Sequence, residues 1–238
     1  MKWVAGYAGG LCVLILIVAQ SFFIPSFFLP FFSWHYERRD IAASIGVDDE
    51  ELMRVTSELL NYMRGRRDDL EVSAIVNGQS RSFFSETEII HMEDVREIYS
   101  IGFIIRNVAF WGLIFIILAL IFMKESVAYI LSRCVREIVV GFLILTFLLV
   151  IIIAIDFSSA FVMFHLMFFD NDYWILDPSV DLLINMVPEI FFIEISVFIA
   201  GLLALFSILI IILSSVYLSN NKYRFEPLSS FDKGGKYR

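Results

Sequence analysis

Cysteine is scarce in this 238-residue chain: there are two, Cys12 and Cys134. One lies inside an apolar run and the other is expected beside a reducing compartment, so no disulfide is expected. Cys12 stands near the start of its run, whereas a lipidated cysteine has the apolar stretch in front of it. The same run, preceded by Lys2, is too long for a cleaved signal and carries no small-residue cleavage site at its outer end, so it is expected to remain as an anchor. Basic charge is also short, 18 Lys and Arg against 26 Asp and Glu, which argues against nucleic acid as a partner. No Gly-x-Ser-x-Gly elbow and no His-Glu-x-x-His pair occurs. Histidine is limited to His35, His91 and His165.

What is abundant is apolar surface. Hydrophobic residues make up 59% of the chain, against about 45 to 50% in soluble domains. Four runs, near 4–30, 101–123, 138–160 and 191–217, are long enough to cross hydrocarbon as helices. Helices are required because lipid offers the backbone no other partner outside a closed barrel. Lys2, the group Lys124, Arg133 and Arg136 in an expected short loop that also holds Cys134, and the tail cations Lys222, Arg224, Lys233, Lys236 and Arg238 fall on one side, the cytoplasm by the positive-inside tendency. The segment 161–190 has Asp170, Asp172, Asp177, Asp181 and Glu189 with no Lys or Arg, and is expected to face outward.

These features predict an all-α membrane fold with four transmembrane helices and a small α+β extracytoplasmic cap between the first two. The expected boundaries are helix 1 over 1–32, the cap over 33–100, helices 2 to 4 over 101–217 with an outer loop at 161–190, and a cytoplasmic tail over 218–238. The cap is too small for an independent core and must lean on the membrane helices. Within it, Asp48 and Glu51 have capping-box spacing ahead of Leu52, Val55, Leu59, Leu60 and Met63, and Gly65 is a helix stop. Asn77-Gly78 between 70–76 and 79–84 is a hairpin signal, since both residues accept positive φ. Ser85-x-x-Glu88 repeats the capping-box spacing and opens a helix that continues into the second membrane run.

Two histidines stand out. His91 shares a helical face with Glu88 and Asp94, either of which can accept from one ring nitrogen and raise the basicity of the other. The plain alternative is a solvated helix histidine in a salt-bridged face. His165 sits among Phe161, Phe164, Phe168 and Phe169 where an apolar segment meets the acidic loop, and its alternative is a snorkelling interfacial side chain. His35, beside Trp34 and Tyr36, reads as part of an interfacial aromatic belt. Asp156, Glu194 and Arg106 are ionisable groups within apolar runs; Arg106 pairing with Glu194 or Asp156 to set helix packing is as good a reading as a catalytic one. Asp177-Pro178 and Pro188 read as helix openers.

Phe84-Ser85-(x)2-Glu88-(x)2-His91-Met92-(x)-Asp94-Val95, with Phe164-His165-(x)3-Phe169-(x)-Asn171-(x)2-Trp174 and Asp181-Leu182-Leu183-Ile184, resembles the bacterial lipoprotein intramolecular transacylases over nearly the whole chain. The resemblance implies a multi-pass protein of the bacterial cell membrane, with both termini cytoplasmic and the site extracytoplasmic. It would move the sn-2 acyl chain of a diacylglyceryl lipoprotein to the α-amine of its N-terminal cysteine. His91 and His165 match the family's catalytic histidines. His91, backed by Glu88 or Asp94, is expected to be the base, and His165 to serve the oxyanion or leaving oxygen, with the reverse division open. Asn61, Tyr62, Phe84, Phe164, Phe169, Asn171, Trp174 and Asp181 are expected to bind or orient substrate. No cofactor and no metal are expected; the partners are a diacylated lipoprotein and membrane lipid. Two other classes compete: a zinc-dependent membrane hydrolase using both histidines with Asp94 or Asp181, and a non-catalytic lipid-binding or partner-binding protein.

Overall fold

The computed structural model describes residues 1–221. The tail cations from Lys222 onward lie outside the described residues. Four helices are long and apolar enough to cross a membrane: α1 (Lys2–Ser26), α5 (Glu86–Phe122), α6 (Val127–Ile155) and α9 (Glu189–Asn220). Between α1 and α5 come α2 (Leu29–Arg39), α3 (Ile41–Ile45), α4 (Asp49–Met63) and the strands β1 (Ser73–Val76) and β2 (Gln79–Ser82). Between α6 and α9 come α7 (Phe157–Phe168) and the single turn α8 (Leu183–Met186). At 37 residues, α5 is about 55 Å long, well beyond the roughly 30 Å of hydrocarbon. Its continuously apolar run starts at Ile101, and the turns that carry Glu88, His91 and Asp94 precede that run.

The helix boundaries correct the sequence expectation in two places. α6 begins at Val127, so Arg133, Cys134 and Arg136 are helical and the preceding loop is much shorter than expected. The same run then breaks at Asp156, which caps a separate helix: its carboxylate accepts from the Ser159 N–H at 3.0 Å and the Ser159 hydroxyl at 2.6 Å. Asp156 is therefore a helix cap and not a charge within a continuous span, and the segment 161–168 is the end of α7, not outer loop.

The chain forms two compact units. The first contains Met1–Val18, Asn107–Phe147 and the described residues from Leu203. Small residues on α1 let it approach α6 closely: a Cβ on Gly6 would stand 2.5 Å from Ile130 Cγ2, and one on Gly10 2.7 Å from Ile138 Cδ1. Leu120, Ile130 and Cys134 are buried together there. Tyr7 donates to Glu137 at 2.6 Å, Lys2 pairs with Glu125 at 3.2 Å, and Arg133 lies over the Trp3 ring.

The second unit contains Ala19–Arg106 and Leu148–Leu202. Its core gathers Phe31 and Tyr36 of α2, Leu52, Val55 and Leu59 of α4, Leu70, Phe83 and Phe84, then Leu183 and Met186 of α8 and Phe191 of α9. The segment after α1 thus completes its core with apolar groups from α9, as its small size requires. The expected hairpin is present and shorter than the sequence pattern: four residue pairs from Ser73↔Ser82 to Val76↔Gln79, closed by Asn77 at φ 53° and Gly78 at φ 77°. That is the pair of left-handed residues a two-residue hairpin needs. Gly65, at φ 69°, ends α4 with Arg66 N–H donating to Asn61 O and its own N–H to Tyr62 O, both at 2.9 Å, which is a Schellman arrangement.

The two capping-box signals have different outcomes. At α5 the box closes: the Ser85 N–H donates to Glu88 and the Glu88 N–H to Ser85 Oγ. At α4 the box stays open: Asp48 makes no side-chain cap bond, and the Glu51 carboxylate that would accept from the Asp48 N–H is engaged instead by the Arg54 guanidinium and the Ile75 N–H of β1.

His35 is not an interfacial belt residue. It is fully buried, with Nδ1 2.6 Å from Glu194 Oε2 of α9, while Arg39 holds the other oxygen at 2.6 Å. Glu194 is thus taken by α2, and Arg106 stacks over Phe23 and Phe103.

Candidate active site

His91 and His165 reach one another from α5 and α7, elements far apart in sequence. Their rings are 6.1 Å apart between centroids, and both side chains are buried. Phe169 touches both, at 5.2 Å from His91 and 5.6 Å from His165. Phe161 lies 4.4 Å from the His165 ring, Phe164 stands edge-on at 5.5 Å, and Trp174 stacks on it at 4.8 Å and 28°. The imidazoles thus sit in a chamber of aromatic rings.

The hydrogen bonds assign the nitrogens. His165 Nδ1 lies 2.7 Å from the carbonyl oxygen of Phe161, one turn earlier in α7. A carbonyl can only accept, so Nδ1 carries a proton and the neutral ring keeps its lone pair on Nε2. Burial lowers the His165 pKa and the Phe161 carbonyl opposes that effect. His91 Nδ1 is buried and has no hydrogen-bond partner among the described residues. Burial pushes the His91 imidazole down to about 4, with His165 adding to the drop and Asp94 opposing it. Both rings are therefore neutral at neutral pH.

The expected carboxylate support of His91 takes another form. Glu88 is fully buried and divides its oxygens between the backbone N–H groups of Ser85 and Leu183. Burial raises its pKa while those two donors oppose the rise. It ties the start of α5 to α8. Asp94 accepts from the Asn171 side-chain amide at 2.8 Å, and Asn171 Oδ1 in turn accepts from the Tyr173 N–H. Those bonds dock the loop bearing Trp174 onto α5, one turn past His91. Asp181 accepts from the Ser85 hydroxyl and the Asp177 N–H, each at 2.8 Å, reinforcing the same cap.

The remaining expected residues lie in other surroundings. Tyr62 is buried in the cap core beneath the Arg96 guanidinium, and Asn61 supplies a backbone carbonyl to the end of α4. Phe84 is buried against Phe83 and lines a recess of about 710 Å3 with Glu71, Glu86, Ile89, Ile90 and Glu93. By helical spacing those α5 residues occupy the face away from His91. Sequence reasoning placed Phe161 beside His165 but missed its backbone carbonyl as the hydrogen-bond acceptor, though it lies four positions earlier on the same helix. It also missed the Leu183 N–H, which no local pattern marks. Among the described residues no group of three or more His, Cys, Asp or Glu side chains is placed to hold a metal ion.

The family model for the lipoprotein intramolecular transacylase Lit matches residues 7–192, well over half of the chain. The chain belongs to the Lit family. It is a multi-pass bacterial membrane protein of an acyltransferase family. The in meso structure of the membrane integral Lit from Bacillus cereus is similar in fold, with a TM-score of 0.74 at 22% identity over 93% of this chain and 97% of that one. Two further structures of the same Bacillus cereus Lit, with a histidine replaced by alanine or by arginine, each match with a TM-score of 0.71 at 22% identity. The alanine form matches over 93% of this chain and the arginine form over 95%, each over 95% of the other chain. No curated protein matches the chain.

Proposed function

We propose that the protein moves the sn-2 acyl chain of a diacylglyceryl lipoprotein to the α-amine of the same molecule's N-terminal cysteine, by direct transfer between the two. The observation that carries this reading is the pair of neutral imidazoles 6.1 Å apart in an aromatic chamber. Amine attack on an ester needs a proton acceptor for the nitrogen and a proton donor for the departing oxygen.

His165 fits the first task. Its Nδ1–H is fixed on the Phe161 carbonyl, so Nε2 is the free base, and the bond helps the ring bear charge once it is protonated. This reverses the division expected from sequence, where His91 was the base. His91 is the poorer candidate base: burial and the neighbouring His165 both push its pKa down, and its Nδ1 has no carboxylate bond to offset them. With its lone pair on the buried Nδ1, His91 presents Nε2–H as a neutral donor to the ester carbonyl.

In the reaction the amine nitrogen bonds to the carbonyl carbon as His165 Nε2 takes its proton. The carbonyl π pair moves to oxygen, where His91 donates. Collapse breaks the bond to the glyceryl oxygen, which leaves with the electron pair and takes the proton back from His165. Nucleophile and ester belong to one molecule, so orientation supplies much of the acceleration. Phe161, Phe164, Phe169 and Trp174 exclude water, which would otherwise hydrolyse the ester.

α5 carries His91 near its start, and Lys124 follows its end. The positive-inside tendency then gives the histidine end an extracytoplasmic place and the Lys124 end a cytoplasmic one, with both termini cytoplasmic. The segment 33–100 is the extracytoplasmic cap of this reading. Lipoprotein and surrounding lipid are the partners, with no role for nucleic acid.

The test is to incubate a synthetic diacylated lipopeptide with the purified protein and follow it by mass spectrometry. The expected product has the intact mass with one acyl chain on nitrogen. Release of free fatty acid with loss of that mass would instead make the protein a hydrolase.

A further inference from the structure

Trp174 carries a polar atom that the chemistry above leaves unused. Its indole Nε1 is buried and has no hydrogen-bond partner among the described residues. Indole nitrogen is a donor only, and buried polar groups without partners are few in native proteins, so each calls for an explanation. The ring stacks on His165 at 4.8 Å. His91 Nδ1, another partnerless buried nitrogen of the chamber, makes no hydrogen bond to the indole. The Trp174 indole is therefore stacked on the base with no acceptor for its N–H among the described residues.

Its position is also built. The Asn171 amide bonds to Asp94 of α5 at 2.8 Å, the Tyr173 N–H returns to Asn171 Oδ1 at 3.1 Å, and the Ile175 N–H bonds to the Asp172 carbonyl at 3.0 Å. These bonds fix the turn that bears the indole relative to the helix that bears His91. A tryptophan needed only as an apolar wall could be any aromatic ring, and the neighbouring walls are phenylalanines.

We propose that the Trp174 Nε1–H is a hydrogen-bond donor to the oxyanion formed from the substrate's ester carbonyl, which makes Trp174 a catalytic residue beside His91 and His165. The inference rests on the ester-to-amine transfer proposed above. When nitrogen bonds to the carbonyl carbon, the π pair moves to oxygen, and that oxygen accepts from the indole and from His91 together. On collapse the pair returns to the carbonyl and the glyceryl oxygen departs. A preorganised donor in a dry site strengthens as charge develops, so its loss falls on the chemical step.

The test compares wild type with Trp174→Phe, which keeps a stacking ring and removes the N–H, on a diacylated lipopeptide with a free amine. The expected result is a fall in kcat of about 100-fold, the scale of losing one such donor, with KM and the acid limb of the pH profile little changed. A kcat within about threefold of wild type, far short of that loss, would overturn the proposal. Should the variant fold poorly, the indole N–H proton of wild type is followed by NMR as a phosphonate mimic of the tetrahedral carbon is added. A downfield move supports donation, and an unmoved resonance refutes it. Wild type that forms no N-acylated product would sink the transfer reading itself, whereas active wild type with an equally active Trp174→Phe sinks only the role given to Trp174.

Discussion

His165 gives its Nδ1–H to the carbonyl oxygen of Phe161 across 2.7 Å, one turn apart on α7. The bond satisfies one nitrogen with a group that cannot donate, so the other is left as a base by geometry alone. On the proposed reading it makes the short helix α7 part of the chemistry. Asp156 caps the start of α7, and four-residue spacing puts Phe161 and His165 on one face of it.

The rate of acyl transfer should fall with acid. Only neutral His165 can take a proton, and burial places its pKa below the ordinary 6.5. Single-turnover rates are therefore expected to fall steadily toward acid, as the substrate's α-amine, ordinarily about 8, and then His165 take up protons. His165→Ala should lower kcat by about 100-fold to 10,000-fold, the range for a general base. Rates that rise toward acid would show that the charged imidazole is the active form.

Stability should fall over part of the same pH range, for a different residue. His91 has a folded pKa of about 4 against 6.5 when solvated. Between those values the unfolded chain binds the proton more readily, so the contribution of a neutral buried His91 is complete above 6.5 and is lost as pH drops toward 4. The loss is on the order of 3 kcal/mol over the whole range. Thermal melts in detergent at pH 7 and pH 5 should separate for wild type and converge for His91→Phe. Equal sensitivity in the two proteins would assign the acid lability to other groups.

Replacing Glu88 should cost stability first and activity as a consequence. Its two oxygens hold the Ser85 and Leu183 N–H groups, and the side chain is fully buried. Glu88→Ala leaves two donors without partners, about 2 to 4 kcal/mol in all. Glu88→Gln keeps one acceptor and should lose less. Were Glu88 instead the carboxylate that activates His91, Glu88→Gln would cut kcat steeply while melting like wild type.

Much of this arrangement was legible in the sequence, and the failures share a cause. Asn77-Gly78 made its hairpin, and Ser85 with Glu88 made its box, because each motif is satisfied within four residues. Asp48 and Glu51 have the same spacing as Ser85 and Glu88, yet Arg54 and the Ile75 N–H compete for Glu51, and the second of these comes from another element. Asp156 lies in a long apolar run and reads as a charge in the membrane, although Ser159 three residues later was the local clue to a cap. His35 was misread because Trp34 and Tyr36 give it the composition of an interface, whereas its partner Glu194 is 159 residues away. Local chemistry was readable; pairing across the fold was not.

That distant pair offers a direct measurement. Glu194 joins buried His35 and exposed Arg39 of α2 to α9, and Phe191 on α9 stands edge-on to the His35 ring at 5.1 Å. Glu194→Ala leaves a buried imidazole nitrogen without its partner and a guanidinium without its countercharge. Breaking a buried pair costs about 3 to 5 kcal/mol, but Arg39 is 33% exposed, so solvent screens its part. A loss of about 2 kcal/mol is expected, read as a lower melting temperature. Replacing both members, His35→Phe with Glu194→Leu, should recover part of that loss by apolar packing beside Phe191 and Tyr36, because no polar atom of the pair is then left buried alone. If Glu194→Ala melts like wild type, the pair contributes nothing to holding α2 on α9, and the apolar contacts of Phe31, Phe32 and Phe191 do that alone.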